Sequence, residues 1–212
     1  LGKGDAIMNT TPDFEQARHY ALYRLSCELS PALVYHSLAH TCNEVVPAAE
    51  RFGALTHLST EELCLLRTAA YYHDIGFVAC YAGHEEASVG IARAILPTFG
   101  YAPTQINTIA QLIMATKLPQ APSCPLAQLL ADADLDVLGR DDFLERNQAL
   151  RAELASYGGV MTDEGWYANQ LKFVRNHRYW TPVVARLRNA GKRRNLIRLH
   201  EQLALVVEQP NR

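Results

Sequence analysis

The sequence has little material for β-structure. Runs that alternate between apolar and polar residues are scarce, and no hairpin dipeptide sits between two such runs. No apolar stretch approaches the roughly 20 residues that a membrane helix needs, so a membrane partner is not expected. No glycine-rich loop of the P-loop or dinucleotide type occurs, which removes two common routes to phosphate binding. Charge of one sign is not in excess: 20 Lys and Arg against 22 Asp and Glu give a formal charge of -2, which argues against a nucleic-acid partner. The five cysteines (Cys27, Cys42, Cys64, Cys80 and Cys124) are odd in number, scattered and never in a CxxC pair. Neither a disulfide framework nor a zinc knuckle suits that spacing, no leader pattern precedes it, and a cytoplasmic setting is expected. Disorder is disfavoured because 49% of the 212 residues are hydrophobic, ample for a packed core.

Helix signals fill the chain instead. Residues 1–10 carry no pattern and read as an N-terminal extension, unstructured or vector-derived. The remainder, 11–212, is expected to be one all-α helical bundle. Thr11-Pro12-Asp13 reads as an N-cap, a first-turn proline and a first-turn acid, opening a helix to about Leu29. A second helix is expected from near Ser37 to Gly53, carrying His40, Glu44 and Ala48, with a kink or early end at Pro47. Ser59-Thr60-Glu61-Glu62 opens a third, with Leu63, Leu66, Ala70 and Tyr71 inward, running into His73-Asp74 and ending at Gly76. Further helices are expected over 84–96, from Pro103, over 125–138, over 141–157, over 162–176 and over 182–208, with a proline-rich loop at 119–125. The basic run Arg186, Arg188, Lys192, Arg193, Arg194 and Arg198 reads as a solvated helix face.

On this scaffold His40, the adjacent His73-Asp74 and an aspartate of the run Ala131-Asp132-Ala133-Asp134-Leu135 stand out. Imidazole nitrogens with carboxylate oxygens suit one divalent ion (Mn, Fe, Co, Ni, Zn or, with water, Mg) and leave positions open. Each element alone is common in proteins. Together they are less so, because Asp132 and Asp134 lie in a segment that otherwise reads as a buried helix. A buried carboxylate needs a cation or hydrogen bonds to compensate its desolvation.

These residues carry a resemblance. Tyr35-His36-Ser37-Leu38-Ala39-His40, Ala69-Ala70-Tyr71-Tyr72-His73-Asp74-Ile75-Gly76-Phe77 and Asp132-Ala133-Asp134-Leu135 together resemble the HD superfamily of metal-dependent phosphohydrolases, over roughly residues 30 to 140. The resemblance implies an HD-type bundle with His40, His73, Asp74 and Asp134 as metal ligands, and Asp132 as a hydrogen-bond acceptor behind a ligand histidine. Some relatives hold two metals through further histidines. His84 stands where the first would be, but none occurs near Ala115-Thr116-Lys117, which favours a mononuclear site. Residues 141–212 carry no motif.

The implied activity is hydrolysis of a phosphoester of a nucleotide or another small phosphorylated metabolite, with a metal-activated water as nucleophile. Asp74 would orient that water. His84 is a candidate phosphate contact or proton donor, Glu85 a candidate base, and His36 and Lys117 candidate substrate contacts. His19, His57, His177 and His200 read as structural or surface residues. Two rival readings are an oxygenase or lyase on the same scaffold, and a non-catalytic ligand-binding module with a structural metal. Exposed apolar helix faces make a homodimer a candidate assembly.

Overall fold

The computed structural model describes residues 12–208, and the residue 1–10 extension and the Thr11 cap lie outside them. Among the described residues the protein is all-α, without strands. The helices are α1 (Phe14–Glu28), α2 (Val46–Leu55), α3 (Thr60–Tyr72), α4 (His84–Ile95), α5 (Pro103–Met114), α6 (Pro125–Asp134), α7 (Phe143–Ser156), α8 (Asp163–Asn176) and α9 (Pro182–Glu208). Short 3-10 turns follow α3, α4 and α6. Among the described residues no helix is long and apolar enough to cross a membrane. All five cysteines are free.

Several helix boundaries differ from expectation for identifiable reasons. Asp13, not a first-turn acid, is itself the N-cap of α1, accepting from the Gln16 amide at 3.0 Å. Ahead of α2 the chain forms a widened π-helical turn, His40–Val45, rather than a kink. Pro47 follows at once, and the wider turn accommodates a residue without an N–H and with a ring directed at the preceding carbonyls. The capping box of Ser59 and Glu62 opens α3 as expected. That helix ends at Tyr72, four residues before Gly76, because the next turn is clamped from α4. Gly76 N donates to Ser88 Oγ at 2.8 Å, and Ser88 Oγ donates to the His73 carbonyl at 2.7 Å. A Cβ on Gly76 would lie 1.9 Å from the His84 carbonyl, so only glycine admits this approach. The expected 125–138 helix stops at Asp134, and residues Asp136–Gly139 tighten into a 3-10 turn.

Two apolar cores result. The larger joins α1 to α6, with Phe52, Leu66, Tyr72, Ile109, Leu112 and Leu130 fully buried. The smaller gathers Val137, Leu138, Phe143, Trp166, Val174 and Leu199 from the C-terminal third. The basic run on α9 is only partly solvated. Arg188 pairs with Asp136 at 2.6 Å and Arg194 with Asp141 at 2.9 Å, which ties α9 to the 136–142 segment, while Lys192 is buried and donates to the His177 carbonyl. Gly191 of α9 lies against Gly139, where a Cβ would stand 1.9 Å from the Gly139 carbonyl. Gly191→Ala should therefore destabilise the fold by about 1–3 kcal/mol through overpacking, despite alanine's better helix propensity. Urea denaturation would check this, and an unchanged or raised midpoint would refute it.

Candidate active site

Three segments converge at one point beneath a cavity of about 520 Å³. The π turn supplies His40, the residues after α3 supply His73 and Asp74, and the last residue of α6 is Asp134. His73 Nε2 lies 3.2 Å from Asp74 Oδ2, and His40 Nε2 lies 3.9 Å from the same oxygen. Asp134 Oδ1 is 3.5 Å from His40 Nε2 and 3.7 Å from His73 Nε2. All four expected ligands are thus brought together. His40, His73 and Asp74 are buried, yet His40 Nε2, His73 Nε2 and Asp74 Oδ2 find no hydrogen-bond partner. Close but misaligned for hydrogen bonding, these orphaned atoms turn toward one another. Such an arrangement is costly unless an ion sits among them. The His40–His73–Asp74 cluster can hold a metal ion.

The far side of each histidine is tied down. His40 Nδ1 lies 3.1 Å from Glu44 Oε2, one turn along the same helical stretch, and His73 Nδ1 lies 2.8 Å from the Ala70 carbonyl. These contacts set both Nδ1 atoms as donors and leave each Nε2 lone pair for an ion. Glu44 is itself held by Arg146 at 2.9 Å and Arg140 at 3.5 Å. Asp132, expected behind a ligand histidine, does something else. It accepts from the Trp180 and Thr181 amides at 2.7 and 2.9 Å and from Thr181 Oγ1 at 2.6 Å, so it fastens the start of α9 to α6. The acceptors behind the histidines are Glu44 and a backbone carbonyl, not Asp132.

Charge follows from this crowding. Burial alone would lower the His40 pKa, but Asp134, Glu44 and Asp74 outweigh it and push it up to about 9. Burial opposes ionisation of Asp74 in the same way, and the His73, His36 and His40 rings overcome it and hold the carboxyl well below its usual range. The pocket is built to carry two carboxylates beside imidazoles, a charge pattern that a divalent cation completes.

The remaining candidates line the cavity. His84, the first residue of α4, lies with Nε2 3.5 Å from Asp74 Oδ1 and stacks on Phe77 at 3.8 Å between centroids. Glu85 follows it at the cavity wall. Lys117 also reaches the wall, but its ammonium is paired with Glu86, so it is less free to neutralise a phosphate than expected. His36 precedes the helix rather than riding on it. Its ring stacks on Phe77 at 4.7 Å, and its Nδ1 bonds Glu153 Oε1.

Glu153 and Arg146, both on α7, were not visible as site residues in the sequence. The Glu153 side chain is fully buried and accepts from the Tyr35 and His36 amides at 2.8 and 2.9 Å as well as from the His36 ring. Arg146 donates to the Tyr35 carbonyl at 3.0 Å. Partners 111 to 118 residues apart leave no local signal. Burial opposes ionisation of Glu153, but its bonds from His36 and Tyr35 hold its pKa below the ordinary 4.5. A depressed carboxylate pKa stabilises the fold above pH 4.5, and that stability is lost as pH falls through the lower folded value. Glu153→Gln should cost about 2 kcal/mol at pH 7. The gap between variant and wild type in urea denaturation should narrow below pH 4.5, and a gap independent of pH would refute the assignment.

No family model matches the sequence, and no curated protein matches it. The chain is similar in structure to Bacillus subtilis YpgQ, solved by crystallography in complex with ADP, with a TM-score of 0.63. The match covers 90% of this chain and 92% of that one at 19% sequence identity, a likeness of fold.

Proposed function

We propose that this protein is a metal-dependent phosphohydrolase of the HD type, acting on a nucleotide or a similar small phosphorylated molecule. The observation that carries the reading is the convergence of the orphaned His40 Nε2, His73 Nε2 and Asp74 Oδ2 with an Asp134 carboxylate oxygen beneath the cavity. A buried ligand set that opens on one side toward a cavity suits catalysis better than structural anchoring, which closes its coordination sphere. The nucleotide-like substrate class draws support from the ADP bound to the structural neighbour and from a cavity whose volume falls in the usual range for small-molecule sites.

A divalent ion bound here would supply Lewis acidity, stabilising charge that develops on a phosphoryl oxygen and favouring ionisation of a water. The chain's own groups do the rest. Asp74 orients the attacking water through Oδ1, the oxygen that faces His84. Glu85, beside His84 at the wall, accepts the proton the water loses. His84 meets the phosphate, its ring fixed by the stack on Phe77. His36 donates through Nδ1 to Glu153 and turns its opposite nitrogen toward the substrate. Leu138, Phe143 and Phe173 keep bulk water from the far side of the cavity.

Metal analysis of the purified protein beside Asp134→Ala, followed by phosphate release from a nucleotide panel with the ion restored, tests the proposal. About one ion per chain is expected, with turnover falling by about a hundredfold or more in the variant. Two irons per chain with an oxygen-dependent product would point instead to the oxygenase. No ion and no turnover would leave a binding module. Protons compete with the ion for His40 Nε2, whose pKa stands at about 9. Apparent metal affinity should therefore climb from pH 6 to pH 9, by up to about tenfold per unit, and level off above. Isothermal titration across that range checks the slope, and a flat profile would remove His40 from the ligand set.

A further inference from the structure

Away from the metal cluster the cavity wall is apolar, built by residues such as Val137, Leu138, Phe143 and Phe173. Two amides interrupt it, Asn147 of α7 and Gln170 of α8. Their orientation is set by a residue that can only donate. Trp166 is buried and its indole Nε1 donates to Asn147 Oδ1 at 2.9 Å. That contact fixes which end of Asn147 is oxygen. Its Nδ2 must then face Gln170, and it donates to Gln170 Oε1 at 2.7 Å. Turned the other way, Gln170 would set N–H against N–H. The relay therefore leaves Gln170 Nε2 as the outer end, and the hydrogen bond that Gln170 makes among the described residues runs through Oε1. An otherwise greasy wall thus presents one amide donor of fixed direction.

We propose that Asn147 and Gln170 form a base-reading subsite that selects a flat ring with a carbonyl on its outer edge. The assignment rests on the phosphohydrolase reading for the phosphate end of the ligand, and on the relay alone for the ring end. An exocyclic group projects furthest from the sugar of a nucleotide, so it is the first part of a base to meet a wall remote from the phosphate. A carbonyl there accepts from Gln170 Nε2. An amino group sets donor against donor and leaves both unpaired in an apolar setting, which costs about tenfold or more in affinity. The ligand class is therefore a nucleotide of a 6-oxopurine or 4-oxopyrimidine rather than its amino counterpart.

The relay makes a prediction that simple packing does not. In Asn147→Asp one carboxylate oxygen still accepts from Trp166, and the other now demands a donor from Gln170. The Gln170 amide should turn over and show its oxygen to the cavity. Gln170→Glu shows an oxygen directly while still accepting from Asn147. Both variants should change selectivity in the same direction. Binding of inosine and adenosine, neither of which carries a phosphate to be cleaved or repelled, can be followed by ligand-observed NMR titration on the intact protein. Wild type is expected to bind inosine about tenfold more tightly than adenosine, and each variant should shift that ratio at least about tenfold toward adenosine. Thermal melts establish which variants are folded, and a single folded variant suffices to decide. A wild-type ratio of one or less, no measurable binding of either nucleoside, or a ratio unmoved in a folded variant overturns the subsite. Phosphate release without base discrimination overturns the subsite and leaves the hydrolase standing. A ratio that shifts as expected without phosphate release keeps the subsite and removes the hydrolase.

Discussion

The structure turns on the burial of His40, His73 and Asp74 with their reactive atoms facing one another and lacking hydrogen-bond partners. Left alone, that cluster would be among the most costly features in the molecule, since unpaired buried polar atoms and a buried charge are each unfavourable. Much of the surrounding architecture serves to hold it. Glu44 and the Ala70 carbonyl take the outer nitrogens of the histidines. Ser88 and Gly76 clamp the turn that carries Asp74. The π turn at His40 brings Glu44 under the ring four residues before it, a placement that combines a helical repeat with a local widening.

The layers around this cluster do different physical work. The carboxylates raise the proton affinity of His40, and the same field favours a cation at the open side of its ring. Outside them, Arg140 and Arg146 balance Glu44, so the buried negative charge is compensated at two depths. Arg146 then passes on to the Tyr35 carbonyl, and Glu153 fixes the adjacent amides. The segment leading into the site is therefore held by α7 as well as by its own local turns.

Features that obey local rules could be read in advance. The capping box at Ser59, the prolines at the starts of α5 and α6 and the spacing of apolar residues placed the helices closely. That His40, His73, Asp74 and Asp134 meet in space was legible because a resemblance joined residues that composition alone left ambiguous. Long-range features were not legible. Asp132 looked like a partner for a ligand histidine because it stands two residues before Asp134, but its direction from α6 takes it to Thr181 and Trp180. Glu153 and Arg146 lie on a helix without a marked apolar stripe, and their partners are more than a hundred residues away. The basic run on α9 resembled a solvated face because its acidic partners, Asp136 and Asp141, come from another segment. Burial of Lys192 in that run has no counterpart in any local pattern.

The division into two apolar cores has a consequence for how this fold can change. The His40–His73–Asp74 cluster sits beside the larger core, whereas the opposite wall of the cavity belongs to the smaller one. Residues of α7 and α8 can therefore be exchanged with little disturbance to the cluster, and the molecule resembles a fixed tool with a replaceable jaw. The exceptions are Glu153 and Arg146, which rivet the two pieces together. A redesign that respects those two rivets can reshape the jaw, and one that ignores them loosens the tool.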